Sequence, residues 1–113
     1  MNKPECKIDA NGTKYWYLNG KWHRKDGPAI EYANGNKYWY INDRFHREDG
    51  PAIEYANGDK YWCLNGELHR EGGPAVEYAD GETRYYINDK HIPQLDNKRI
   101  YGKENLQKFL LLI

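Results

Sequence analysis

The sequence predicts an all-β fold: an antiparallel sheet of four tandem β-hairpin repeats, finished by a short C-terminal capping helix. Three observations predict it. Apolar anchors recur at a fixed interval, with Ile30, Ile53 and Val76 each 23 residues apart. Tight-turn dipeptides punctuate each interval twice. The segments between them are rich in Tyr, Trp and β-branched residues, which suit a pleated surface.

The units read IEYANGNKYWYINDRFHREDGPA from Ile30, IEYANGDKYWCLNGELHREGGPA from Ile53 and VEYADGETRYYINDKHIPQLDNK from Val76. A first copy runs from Lys7, and the last loses the pattern after Asp89, as a terminal repeat does without a successor. The chain length fits one domain, 1–113, with repeats over 7–98 and a cap over 99–113.

Each element follows from its residues. The first turn of each unit is Asn11-Gly12, Asn34-Gly35, Asn57-Gly58 or Asp80-Gly81; the second is Asn19-Gly20, Asn42-Asp43, Asn65-Gly66 or Asn88-Asp89. Read as two-residue type I′ loops, they fix the register. Across the first loop Ile30 should face Trp39 and Glu31 should face Tyr38. Across the second, Tyr40 should face Phe45, Trp39 His46 and Tyr38 Arg47. Alternation then sorts two faces. One carries Ile30, Tyr32, Trp39, Ile41 and His46, and we expect it to be the core. Its columns are Trp16, Trp39 and Trp62, Leu18, Ile41 and Leu64, and Ile30, Ile53 and Val76. The other face carries Glu31–Tyr38–Arg47 and Glu54–Tyr61–Arg70 rows, with Ile8–Tyr15–Arg24 in the first copy. Beyond the repeats, Leu106, Phe109, Leu110 and Ile113 fall at i, i+3, i+4 and i+7, the spacing of an apolar helix stripe. Gly102 would start that helix. It would cover the last hairpin, whose edge is otherwise open, or join the chain to a second copy.

Charge bounds the partners. Seventeen basic residues balance seventeen acidic ones. Non-specific nucleic-acid binding and attraction to anionic lipid both need a basic face, so neither is expected. No apolar leader is seen, and the longest apolar run, Phe109 to Ile113, is too short to span a bilayer. A cytoplasmic protein is expected. The two cysteines, Cys6 and Cys63, lack metal-ligand spacing, and Cys63 reads as a reduced thiol inside a strand.

The tempting chemistry is His-Arg-x-Asp-Gly-Pro at His23, His46 and His69. Asp49 becomes Gly72 in the third copy, and Asp43 replaces the Gly of Gly20. Positions where Asp and Gly interchange want a left-handed backbone more than a carboxylate. The histidines change together with their Trp partners, to Ile92 and Tyr85 in the last copy, as packing pairs do. No nucleophile motif, phosphate loop or carboxylate pair appears. The reading is therefore no catalytic residue, no metal and no cofactor. Tyr, Trp and Arg concentrated on one face are instead the residue types of binding hot spots. The candidate partner-binding residues are Tyr15, Tyr17, Trp22, Arg24, Tyr38, Tyr40, Phe45, Arg47, Tyr61, Leu68 and Arg70.

The run Tyr15-Trp16-Tyr17-Leu18-Asn19-Gly20-Lys21-Trp22-His23, then Gly27, then Tyr32-Ala33-Asn34-Gly35, resembles MORN repeats over roughly residues 8–92. It looks closest to a variant group with antitoxin-like, bacteriophage and large-virus members. His-Arg stands here where the family has His-Gly after the second turn, and Gly-Pro where it has Gly-x. The resemblance implies an elongated, twisted hairpin stack that binds another protein, as an inhibitor, antitoxin or anti-defence factor. Two other readings of the aromatic–Arg face are a small-ligand or nucleotide sponge and a structural homo-oligomer.

Overall fold

The computed structural model describes residues 3–113 and is mostly antiparallel β-structure with one C-terminal helix. The first unit forms β1 (Glu5–Ile8), β2 (Lys14–Leu18) and β3 (Lys21–Trp22). The second forms β4 (Ile30–Glu31), β5 (Lys37–Tyr38), β6 (Tyr40–Ile41) and β7 (Arg44–Phe45). The third repeats that plan as β8 (Ile53–Glu54), β9 (Lys60–Tyr61), β10 (Cys63–Leu64) and β11 (Glu67–Leu68). The fourth does so as β12 (Val76–Glu77), β13 (Thr83–Arg84), β14 (Tyr86–Ile87) and β15 (Lys90–His91). A nine-stranded sheet runs β1-β2-β4-β5-β8-β9-β12-β13, with β3 on β2. The hairpins β6-β7, β10-β11 and β14-β15 stand off it as separate two-stranded ribbons. Extents of 49 × 31 × 19 Å describe a long, thin body.

The two turns of each unit differ in kind. The second turns are type I′, as expected: Asn42 and Asp43 have φ of 50° and 66°, and Asn88 and Asp89 of 48° and 66°. Tyr40 faces Phe45 there, also as expected. The first turns are one residue longer. Gly35 alone is left-handed, at φ 99°; its N–H donates to the Tyr32 carbonyl, and the Tyr32 N–H donates to the Asn36 carbonyl. That is a type I turn closed by a left-handed glycine, a three-residue loop. The register therefore moves by one. Ile30 faces Tyr38, not Trp39, and Glu31 faces Lys37, not Tyr38. A one-residue slip exchanges faces, so Ile30 and Tyr32 leave the Trp face.

The corner between units explains Gly-Pro. After His46 the chain leaves its hairpin, and the Arg47 N–H donates to the Cys63 carbonyl of the next unit. The Arg47 guanidinium then folds back between the Trp39 indole, 4.0 Å from its centroid, and the corner backbone. It donates to the Pro51 carbonyl and to Asp49. A Cβ at Gly50 would lie 2.7 Å from Arg47 Cζ, so the corner admits only glycine. Arg24 with Gly27 repeats the arrangement.

The core is a thin seam along the sheet. Ala29, Ala52 and Ala75 are fully buried, beside Ile30, Ile53 and Val76. Trp39 and Cys63 join Ala52 in one cluster. Trp39 is buried as expected, whereas Trp16, Trp62, Leu18, Ile41 and Leu64 are only half-buried. A single sheet has no second layer to cover them.

The cap is a second core. Helix α1 (Lys103–Leu110) begins at Gly102, whose φ of 95° suits glycine. Tyr85, in the fourth unit's Trp position, is buried with Leu95, Ile100 and Leu106. Its hydroxyl donates to the Lys98 carbonyl and accepts from the Ile100 N–H. The cap starts earlier than residue 99, at a 3-10 turn over Pro93–Leu95. Of the expected helix stripe, Leu106 is buried and Leu110 partly so, but Phe109 and Ile113 are exposed. Helix α1 has only eight residues, too few turns to return Ile113 to the core.

Candidate binding face

Successive sheet rows put Tyr15, Ile30, Tyr38, Ile53, Tyr61 and Val76 directly opposite one another. Strand alternation keeps all six side chains on one face. The aliphatic members are buried, and the tyrosine rings lean over them. Tyr32 and Tyr55 come from the three-residue loops and meet Tyr38 edge-on, at 5.2 and 6.1 Å between centroids. Tyr55 meets Tyr61 and Tyr61 meets Tyr78 in the same way. The I′ hairpins extend the face sideways: Tyr40 stacks on Phe45 at 4.4 Å, Tyr17 on Trp22 at 4.2 Å, and Trp22 reaches Tyr40. The rings from Tyr15 to Tyr78 thus form one connected ribbon, and each is only part-buried. Offset and edge-to-face contacts of this kind add about 0.5–1.5 kcal/mol beyond area burial.

Electrostatically the ribbon is neutral. Burial first, and then the neighbouring phenols of Tyr55, Tyr32 and Tyr40, push the Tyr38 phenol up to about 12. Burial also raises Tyr40 and Tyr61. The hydroxyls therefore stay protonated, able to donate and accept hydrogen bonds across the ordinary pH range.

The three arginines are not part of it. Arg24, Arg47 and Arg70 lie on the opposite face, stacked on Trp16, Trp39 and Trp62 at 3.8 to 4.0 Å. They pair with Glu31, Glu54 and Glu77. Those glutamates belong to a second cross-strand row, Lys14–Glu31–Lys37–Glu54–Lys60–Glu77, of alternating sign. The expected Glu–Tyr–Arg rows are thus replaced by separate aromatic and charged faces. Half the cause is the longer first loop, and half is the departure of Arg47 from its hairpin. A groove on the charged side is lined by Trp39, Ile41, His46 and Arg47, which places His46 beside Trp39 as expected.

The histidines join repeats. His46 Nδ1 accepts the Asn65 N–H of the next unit at 3.0 Å, and His23 and His69 do the same for Asn42 and Asn88. An imidazole nitrogen occupies the place a carbonyl would take in a ladder. The turn aspartates also reach across: Asp43 accepts the Trp22 N–H and Asp89 the Leu68 N–H, both at 2.6 Å. They are left-handed, as the Asp/Gly interchange suggests, but their carboxylates are engaged too.

Of the candidate residues, Tyr15, Tyr17, Trp22, Tyr38, Tyr40, Phe45 and Tyr61 share the ribbon. Leu68 packs beside Tyr61 against the Cys63 cluster. Sequence reasoning missed Tyr32, Tyr55 and Tyr78. The available signal was that each follows a Glu and precedes Ala-Asn-Gly or Ala-Asp-Gly, which also fits a three-residue loop. Among the described residues, no group of three or more His, Cys, Asp or Glu side chains converges to hold a metal. No described helix is long and apolar enough to cross a membrane. The chain matches no protein-family model, and comparison with curated proteins and with solved structures found no match.

Proposed function

We propose that this chain is a non-enzymatic protein-binding module that docks one partner protein through the aromatic ribbon. The observation that carries the reading is the continuous run of part-exposed rings from Tyr15 to Tyr78. Tyrosine brings large contact area with few rotors to freeze, and a hydroxyl that bonds to whatever the partner offers. The sheet holds these rings in place before binding, which lowers the ordering cost. The favoured partner surface is apolar with hydrogen-bonding groups and little charge. The MORN-like resemblance further suggests an inhibitor, antitoxin or anti-defence role. The nucleotide reading is weaker, because Arg24, Arg47 and Arg70 are already paired on the other face.

The test is partner capture with matched variants. Tyr38→Ala and Tyr61→Ala should abolish capture, whereas Lys37→Ala and Lys60→Ala on the charged face should retain it. Retained capture by ribbon variants that melt as folded proteins sinks the reading.

A further inference from the structure

The sheet has two ends, and only one is covered. The C-terminal end carries the cap, docked by the Gly102 N–H on the Gly72 carbonyl and by Lys103 on Glu71. The N-terminal end is β1, all four residues of which are exposed. Its hydrogen-bonding parity follows from β2. The Trp16 N–H points to Ala29, on the β4 side, so Tyr15 and Tyr17 point to β1 and pair with Lys7 and Glu5. Alternation then turns the N–H and C=O of Cys6 and Ile8 outward. Among the described residues, neither Cys6 nor Ile8 has a side-chain partner for those outward groups.

We propose that β1 is a self-pairing edge: two copies join antiparallel about a twofold axis, with Cys6 opposite Cys6 and Glu5 opposite Lys7 of the second copy. Charge selects this register. Only registers that align the outward-facing, even-numbered residues can bond. Centring on Glu5 sets two carboxylates face to face, and centring on Lys7 sets two ammoniums face to face. Centring on Cys6 makes two Glu5–Lys7 pairs instead. It also lets each Cys6 exchange N–H and C=O with its mate and each Ile8 N–H reach the Pro4 carbonyl of the other copy. Registers centred on Pro4 or Ile8 overlap fewer strand residues, because Pro4 precedes β1 and a turn begins after Asp9. Pro4, lacking an N–H, ends the ladder and keeps the pairing short. The dimer is accordingly weak and concentration-dependent, with both aromatic ribbons on the same side of one extended sheet.

Sedimentation of the full chain tests this. The wild type should show a monomer–dimer equilibrium. Glu5→Lys or Lys7→Glu alone should remove the dimer, and the double exchange should restore it. A short bis-maleimide should link Cys6 to Cys6 in the wild type. It should fail with Cys6→Ser carrying Ile8→Cys, because the two Ile8 positions are far apart in this register. A wild type that stays monomeric at every concentration, or dimerisation unchanged by Glu5→Lys, overturns the proposal. So does equal cross-linking at position 8.

Discussion

Arg47 shows how one side chain organises a repeat. Its guanidinium touches an indole, a carboxylate, a proline carbonyl and the next unit's glutamate. Each contact alone is modest, since exposed ion pairs contribute about 0–1 kcal/mol. Together they hold the corner in one geometry, and Gly50 is the seat that geometry requires. Gly50→Ala should therefore push the guanidinium off Trp39, at a cost of about 1–3 kcal/mol, as overpacking does. Gly72→Ala is the matched control. A Cβ there meets nothing within 4 Å, so the change should fall within about 0.5 kcal/mol. Urea melts of the two variants decide it; equal midpoints would falsify the seat. Cys63 carries a related residue-scale consequence. Burial pushes its thiol up to about 11, leaving exposed Cys6 as the reactive cysteine.

At the scale of elements, the aromatic ribbon serves as a core without a second layer. Its phenols hold their protons more tightly folded than unfolded. For Tyr38 the ordinary value is near 10 and the folded value about 12. The stability this contributes is complete below pH 10. It falls as pH rises from 10 through 12, because the unfolded chain gives up the proton first. Tyr38→Phe should remove part of that alkaline loss, read as a smaller drop in urea midpoint over the same range. If the two proteins lose stability in parallel, the phenols are not what the folded sheet protects from ionising.

The molecule as a whole behaves as a one-dimensional array. Each unit bonds to its neighbour through the same set: His Nδ1 to the turn Asn N–H, Trp N–H to the corner Ala carbonyl, and a side chain after the first turn to the next unit's Ala N–H. An array of this kind tolerates loss of a middle unit. Deleting residues 30–52 joins Ala29 to Ile53 and recreates every junction, so the shorter protein should fold, with a lower melting temperature. Removing residues 103–113 should cost more, because Leu106 leaves the cluster that covers Tyr85, Leu95 and Ile100. Circular dichroism melts of both deletions provide the comparison. An unfolded 30–52 deletion beside a stable cap deletion would reverse this account.

The repeat, the antiparallel sheet, the I′ turns and the existence of a C-terminal helix are all written in local residue pattern. A 23-residue period and Asn-Gly or Asn-Asp pairs express themselves within a few bonds of the backbone. So does the ring-rich composition of one face, and seven of its residues were legible without coordinates. Tertiary structure decided which residues share that face. Asn34-Gly35 fits a two- or a three-residue loop, and the choice rests on whether Asn34 or only Gly35 turns left-handed. Where Arg47 lies depends on a neighbouring repeat whose Cys63 carbonyl draws its backbone away. The sorting of arginine from tyrosine is a property of contacts between units, and no pattern within one unit encodes it.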